Sequence, residues 1–415
     1  MKLTDNEKHM LEGEEGEARA WALDKLVKLG EYYGAPSMVD IVYAHLAKPR
    51  AGIDLTMLNL YDDMVKKGGK FKVTTSTNPE AFDFDKPEIL GISQESIKLQ
   101  ERWSHAVLSM GAVPTRTCTM YWSGIVPRMG EHVAFNESSS IAYVNSVLGA
   151  RTNTESQISA LLSALTGKTP KMVYHLDENR RGNTLVKLEA IPAHLTEWDA
   201  LGLHLTQVLP GDAVPVFTNM PQTVRTWELK RMNASLGYGL GPPIGLWHAA
   251  GITPEAATQE QAFKGEQPRA EVVVTPRDIQ KVYELSEWHG PVDLIHFGCP
   301  HLSVPEMAMV ASMFQSKRVS SNVQAWVVTS PAVKKVSDTA GYTAILEQAG
   351  VIVLSGMCCA TLPKKEAREI MGGKVLVTDS GKHWNLAPSI MGDVGLRTIL
   401  KTTEEVVTAA VTGRI

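Results

Sequence analysis

The chain has 415 residues, 44% of them hydrophobic, which is enough for two or three domains with their own cores. Its net charge of -4 is spread without a basic block or basic-aromatic interleaving, so a nucleic-acid-binding surface is not expected. The opening residues Met1 to Glu7 hold no apolar run, and no stretch of about 18 residues stays apolar, so neither a signal peptide nor a membrane span is expected and the cytoplasm is the expected compartment.

In chain order, the pattern opens with a helix capped by the box Thr4-x-x-Glu7, with Leu11, Ala18, Ala22, Leu26 and Leu29 on one face and Gly30 as its stop. Residues 38–43 and 71–75 read as strands around a helix near 55–66, and a long helix follows over about 93–110. In the centre, Asn136 is expected to cap a helix that Gly149 stops. A polar loop Arg151-Thr152-Asn153 follows, then a helix over 155–165.

The stretch 256–269 is polar and charged, and a βαβ run begins beyond it, so a boundary is expected between 1–268, itself two subdomains, and 269–415. Strands are expected at 271–275, 292–298, 325–330, 351–356 and 375–379. Between them a helix over 305–317 carries the capping box Ser303-x-x-Glu306. Strands that alternate with helices predict an α/β protein of several domains, three-layer α/β/α with mainly parallel sheets.

In such sheets ligands bind beyond the carboxyl ends of strands, and three distant cysteines, Cys118, Cys299 and Cys358, each fall where an apolar run ends. Cys299 is also expected to precede a helix N-terminus, where a thiolate is favoured. Four cysteines without a CxxC in a reducing compartment point away from a disulfide framework or a zinc finger, which leaves ligation, catalysis or burial as thiols. Three sulfur ligands can hold an iron-sulfur cluster and leave one iron open to a substrate oxygen. The glycine cluster at 237–241 does not form GxGxxG after a strand, and neither a Walker loop nor a G-x-S-x-G elbow occurs, so nucleotide binding and serine hydrolysis are disfavoured.

The runs Thr117-Cys118-Thr119, Gly130-Glu131-His132-Val133-Ala134, Asn136-Glu137-Ser138-Ser139 and Asn145 to Asn153 resemble the aconitase X family. The same holds for His175 to Arg180, Gly251 to Ala256, Gly298-Cys299-Pro300-His301, the cysteine after 351–356 and Asp379-Ser380-Gly381-Lys382. The resemblance spans nearly the whole chain. It implies a hydro-lyase of the aconitase superfamily, here the large subunit, with Cys118, Cys299 and Cys358 as cluster ligands and Cys359 as competitor for the third place. The cluster type (2Fe-2S, 3Fe-4S or 4Fe-4S) stays open. A small swivelling-domain subunit is the expected partner, because the chain ends at Ile415 soon after a last helix. Two substrates go with the family: cis-3-hydroxy-L-proline and mevalonate 5-phosphate. A composition unlike that of a hyperthermophile leans towards the first, which ranks ahead; a two-chain architecture leans towards the second.

Dehydration next to a carboxylate needs a base for the proton and a Lewis acid for the departing hydroxide. Glu131, Glu137 and His132 are the catalytic candidates, although a carboxylate near a helix start also serves as a dipole partner and His132 and His301 suit support of a ligand. Arg151 is a candidate carboxylate clamp, with Asn136, Thr152 and Asn153 beside it. Thr75, Ser76 and Asn78 end a strand in a polar loop and are further substrate candidates, with His45 of similar standing. Lys382 is a candidate for a carboxylate or phosphate. Two other classes stay open: a metal-free thiol racemase or epimerase, and a noncatalytic binding subunit.

Overall fold

The computed structural model describes residues 1–48, 55–392 and 394–415. It is a three-layer α/β protein, and every strand pairing but one between named strands is parallel. The first 170 residues hold β1 (Met38–Asp40), β2 (Tyr43–Leu46), β3 (Thr74–Thr77), β4 (Val133–Phe135) and β5 (Lys168–Pro170). The single strand expected over 38–43 is thus two. β1 pairs antiparallel with β5, and β2 lies centrally in the parallel order β3-β2-β4. The break falls where Ile41 N donates to Gly167 O and Val42 N to His132 O, so the chain changes partner between the two strands.

Local signals shift in similar ways. The first expected helix is two, Asp5–Leu11 and Glu17–Tyr32, because Gly13 and Gly16 take φ values of 93° and 97° between them. The expected strand 71–75 begins only at Thr74, since Phe71 N and Lys72 N bond instead to Met110 O and Ala164 O. The cap of helix Ser138–Ser146 is Glu137 rather than Asn136: the Glu137 carboxylate accepts from Ser139 N, while Asn136 Oδ1 accepts from Ala47 N at 2.7 Å. The expected helix 155–165 runs Gln157–Thr166 behind a Ser156 cap.

A second sheet holds β6 (Thr184–Leu188), β7 (Pro215–Phe217), β8 (His248–Ala249) and β9 (Ala270–Val274) in the order β8-β7-β6-β9. β9 is the strand expected to open the C-terminal unit. It pairs along its whole length with β6 and so belongs to this middle sheet.

The third sheet contains β10 (Leu294–Leu302), β11 (Gln324–Thr329), β12 (Val351–Ser355), β13 (Val375–Thr378) and β14 (Arg397–Leu400) in the order β12-β11-β10-β13-β14. Its strands are apolar on both faces because both are covered. Ile295, Phe297, Val327, Val353 and Val377 pack with side chains of helices Val304–Phe314 and Thr403–Thr412. Leu294, Trp326, Val328 and Leu376 pack on the opposite side with Phe82, Leu90 and Met371, which ties the first 170 residues to this sheet. Each such side chain contributes roughly 1.5–3 kcal/mol on burial. Among the described residues no helix is long and apolar enough to cross a membrane.

The strand orders place the functional ends. β10 has its earlier-connected neighbour β11 on one side and β13 on the other, and β2 likewise lies between β3 and β4. These are switch points, where successive crossovers leave the sheet on opposite faces and open a crevice at the carboxyl ends.

Candidate active site

The carboxyl ends of the first and third sheets are stitched together. Glu80, beyond β3, donates its N–H to Gly356 O and accepts from Cys358 N, both at 2.8 Å. The junction forms a small cavity of about 20 Å³ lined by Cys118, Cys299, Cys358, Cys359, His301 and His383, among others. All four cysteines are free thiols.

Different backbone features deliver each sulfur. Cys299 lies inside β10, not at a helix N-terminus as expected, because β10 runs on to Leu302 and the next helix starts at Val304. The register against β11 shifts between Phe297 and Leu302. Gly298, at φ 115°, makes this possible: a Cβ there would stand 2.2 Å from Val328 O. Cys118 precedes the short turn Met120–Ser123, and its Sγ accepts from His301 N at 3.3 Å. His301 is itself fixed by Thr117 Oγ1 at 3.1 Å and Met357 O at 2.8 Å. Cys358 follows β12.

Burial pushes the Cys118 thiol up to about 12, and the Glu137 charge adds to the shift. Cys299 and Cys358 are raised for the same first reason. Thiolates therefore form here only with added positive charge. Glu137 and Lys382 act electrostatically on all three. Cys359, by contrast, is influenced by Cys358 and Cys299 and packs in the apolar cluster with Leu354, Met357 and Leu362.

No trio of His, Cys, Asp or Glu ligand atoms among the described residues lies within 4.8 Å except the exposed His9, Glu12 and Glu14. The three sulfurs are thus spread too widely for the shell of one ion. A cluster asks less, because each sulfur binds a different iron.

Beside the sulfurs lies a buried polar chain. Lys382 Nζ donates to Glu137 Oε1 at 2.7 Å and to Ser138 Oγ at 2.9 Å. Asn78 Nδ2 donates to Glu137 Oε2 at 2.7 Å, and Ser139 N and Oγ donate to Oε1. Because Asn78 donates to Glu137, its Oδ1 must accept from His45 Nε2, 3.1 Å away. His45 Nδ1 is then the acceptor from Ser76 Oγ at 2.7 Å. Burial holds His45 neutral, at about 4. Burial alone would raise Glu137, but Lys382 and Ser139 outweigh it and keep the carboxyl at about 2. Lys382 is held above its ordinary value by Glu137 against burial. The turn that carries Lys382 is anchored in turn: Ser380 Oγ donates to Cys299 O, and Gly381 N to Asp199 Oδ1 at 3.1 Å.

Sequence reasoning missed a second charged group. Glu80 is 2% exposed and accepts from Gln100 Nε2 and, at 3.2 Å, from Ser104 Oγ. Gln100 Oε1 accepts from Lys48 Nζ at 2.8 Å, and Arg116 Nε stands 3.6 Å from Glu80 Oε1. Burial raises Glu80 and lowers Lys48. The one sequence signal was a carboxylate just past a strand end; its cations come from sequence positions 32 before and 36 after it.

Other expected residues are not brought to the cavity. Glu131 and His132 precede β4, whereas Glu137 follows it, a separation of about 20 Å at the rise of an extended chain. Glu131 pairs with Arg128 on the surface at 2.7 Å. His132 Nδ1 meets His175 Nδ1 at 2.8 Å, and burial first, then Arg151, lowers it to about 4. Arg151 is taken up by Asp177 and by His175 O at 3.3 Å. Thr152 serves the backbone: its Oγ1 accepts from Phe135 N and donates to Asn153 O. Thr75 Oγ1 donates to Val73 O at 2.9 Å. Asn136 and Asn153 each keep a buried Nδ2 without a hydrogen-bond partner among the described residues, while Asn153 Oδ1 accepts from Tyr174 N.

Comparisons with known proteins agree with this architecture. Models of the aconitase X first, second and third domains match residues 1–178, 182–284 and 292–412. The chain belongs to the aconitase X family. It is 35% identical over 392 residues to the phosphomevalonate dehydratase large subunit of Methanothermobacter thermautotrophicus, covering 94% of each chain. It is 28% identical over 391 residues to the cis-3-hydroxy-L-proline dehydratase of Pseudomonas aeruginosa, covering 92% of this chain and 66% of that one. The holo-form of Thermococcus kodakaraensis aconitase X superposes with a TM-score of 0.86 at 30% identity, covering 99% of this chain and all of the other.

Proposed function

We propose that this aconitase X chain is the large subunit of a dehydratase that removes water from a small 3-hydroxy acid, using an iron-sulfur cluster held by Cys118, Cys299 and Cys358. The observation that carries the reading is the convergence of these three thiols, Cys118 buried and Cys299 and Cys358 partly so, beside the Lys382–Glu137 pair at facing strand ends. Cys358 rather than Cys359 is the third ligand, because it shares the electrostatic surroundings of Glu137 and Lys382 while Cys359 packs into the apolar core. When bound, such a cluster supplies a Lewis acid for the hydroxyl that departs.

The chain's own residues do the remaining work. Lys382 offers a fixed cation to the substrate carboxylate, and Asn78, oriented by His45, holds Glu137 so that Lys382 keeps its place. Glu137 is ionised and committed to three residues, so it orients rather than accepts the proton beside the carboxylate. That base is assigned to a second, smaller subunit, the partner implied by relatives named as large subunits. The thiol racemase reading is disfavoured, since it requires a thiolate at neutral pH and burial raises all of these thiols.

Mevalonate 5-phosphate now ranks first. Relatives at 35% and 33% identity, matched over nearly their full length, are named for it, and Lys48, Arg116 and Lys382 outnumber the carboxylates Glu80 and Glu137, which suits an anion. cis-3-Hydroxy-L-proline is the second reading, supported by two relatives at 28% and 27% identity.

The test is iron and acid-labile sulfide per chain in anaerobically purified protein, followed by dehydration assays on both substrates with the small subunit added. Stoichiometric iron and sulfide with turnover of mevalonate 5-phosphate is expected. Turnover of hydroxyproline alone would transfer the assignment to the second reading, and intact anaerobic protein free of iron would end the cluster mechanism.

A further inference from the structure

The turn after β13 sends two consecutive side chains to different places. Lys382 reaches Glu137, while His383 lies 1% exposed and lines the cysteine cavity. His383 stacks on His296 with ring centroids 3.8 Å apart and 21° between the planes. Ring-to-ring contact satisfies no nitrogen, and both His383 Nδ1 and Nε2 are buried without a hydrogen-bond partner among the described residues. A neutral imidazole carries one N–H donor and one acceptor, and a buried ring that leaves both unpaired forfeits the free energy of two hydrogen bonds. The backbone that carries the ring is anchored. His383 N donates to Ser380 Oγ at 3.0 Å, and that hydroxyl donates to the carbonyl of Cys299.

We infer that His383 donates a ring N–H to a sulfur of the group that Cys118, Cys299 and Cys358 hold. The inference rests on the proposal that this group is an iron-sulfur cluster. A hydrogen bond to a cluster sulfur stabilises the more negative, reduced state and raises the reduction potential, while His383 leaves the coordination of the irons unchanged.

The experiment compares wild type, His383→Leu and His383→Gln, purified anaerobically, by iron and sulfide content, visible spectrum and midpoint potential of the cluster. Leu keeps the bulk and removes the donor; Gln returns an N–H. The expected result is wild-type iron and sulfide in both variants, a midpoint potential shifted negative in His383→Leu and restored towards wild type in His383→Gln. An unshifted potential and spectrum in iron-loaded His383→Leu would overturn the inference while leaving the cluster in place. Loss of iron from both variants with circular dichroism unchanged would overturn it too, by making His383 a ligand. Wild-type protein without iron would instead bring down the cluster reading, and this inference with it.

Discussion

Replacing Glu137 by Gln tests the polar chain at its centre. The substitution keeps the shape of the side chain but removes the charge that Lys382 Nζ meets at 2.7 Å, in a site where the two side chains are 5% and 11% exposed. Breaking a buried pair from one side leaves the other charge stranded and costs about 3–5 kcal/mol. An independent route gives a similar figure. Glu137 titrates at about 2 in the folded chain against an ordinary 4.5, a difference worth roughly 3 kcal/mol in favour of folding at neutral pH. Since the folded value is depressed, this stabilisation is fully present above about 4.5 and is lost as pH falls through about 2. Urea unfolding at pH 7 should therefore show Glu137→Gln about 3 kcal/mol less stable than wild type, with the gap closing towards pH 2. Lys382→Met should cost a similar amount, but the double variant leaves no unpaired charge and should recover much of the loss. A Glu137→Gln protein within 1 kcal/mol of wild type at pH 7, or strictly additive single variants, would refute the coupled-pair argument.

Three further expectations are simpler to test. Cys118→Ala, Cys299→Ala and Cys358→Ala should each lose iron on anaerobic purification while Cys359→Ala keeps most of it; retention in Cys358→Ala with loss in Cys359→Ala would reverse the third ligand. Lys382→Met should lower kcat by about 100-fold or more in the assembled enzyme, the scale for losing one fixed charge at a reacting centre, and a kcat within threefold of wild type would remove Lys382 from the chemistry. Glu131→Gln should leave kcat/KM within about twofold, because an exposed pair such as that with Arg128 contributes at most about 1 kcal/mol; a large loss would return Glu131 to the site.

The history of single residues shows which signals were local. The capping boxes Thr4-x-x-Glu7 and Ser303-x-x-Glu306 both form, because each requires only four consecutive residues. The helix Leu55–Lys66 ends where its periodicity suggested. Asn136 and Glu137 were harder: Asn is the stronger capping type, but Ala47, just beyond the end of β2, donates its N–H to the Asn136 side-chain oxygen and leaves the cap to Glu137. Glu131 and Glu137 were candidates on residue type alone, and only β4, which pairs parallel with β2, sets Glu131 before the strand and Glu137 beyond its carboxyl end.

The amino-acid sequence by itself determined the α/β alternation and the family, and it named Cys118, Cys299, Cys358 and Lys382 as candidates, since these depend on periodicity, on residue type and on runs of neighbours. The tertiary structure alone decided which polar residues meet. Lys48, Glu80, Gln100 and Arg116 come from separate segments, and His45, Asn78, Glu137 and Lys382 span 337 positions along the chain yet form one chain of hydrogen bonds. Strand order caused this, because β2, β3 and β4 end at the same edge, where that edge meets the carboxyl ends of β10, β12 and β13. Sheet order is set by long-range packing of strands that are locally alike, so no window of sequence carries it.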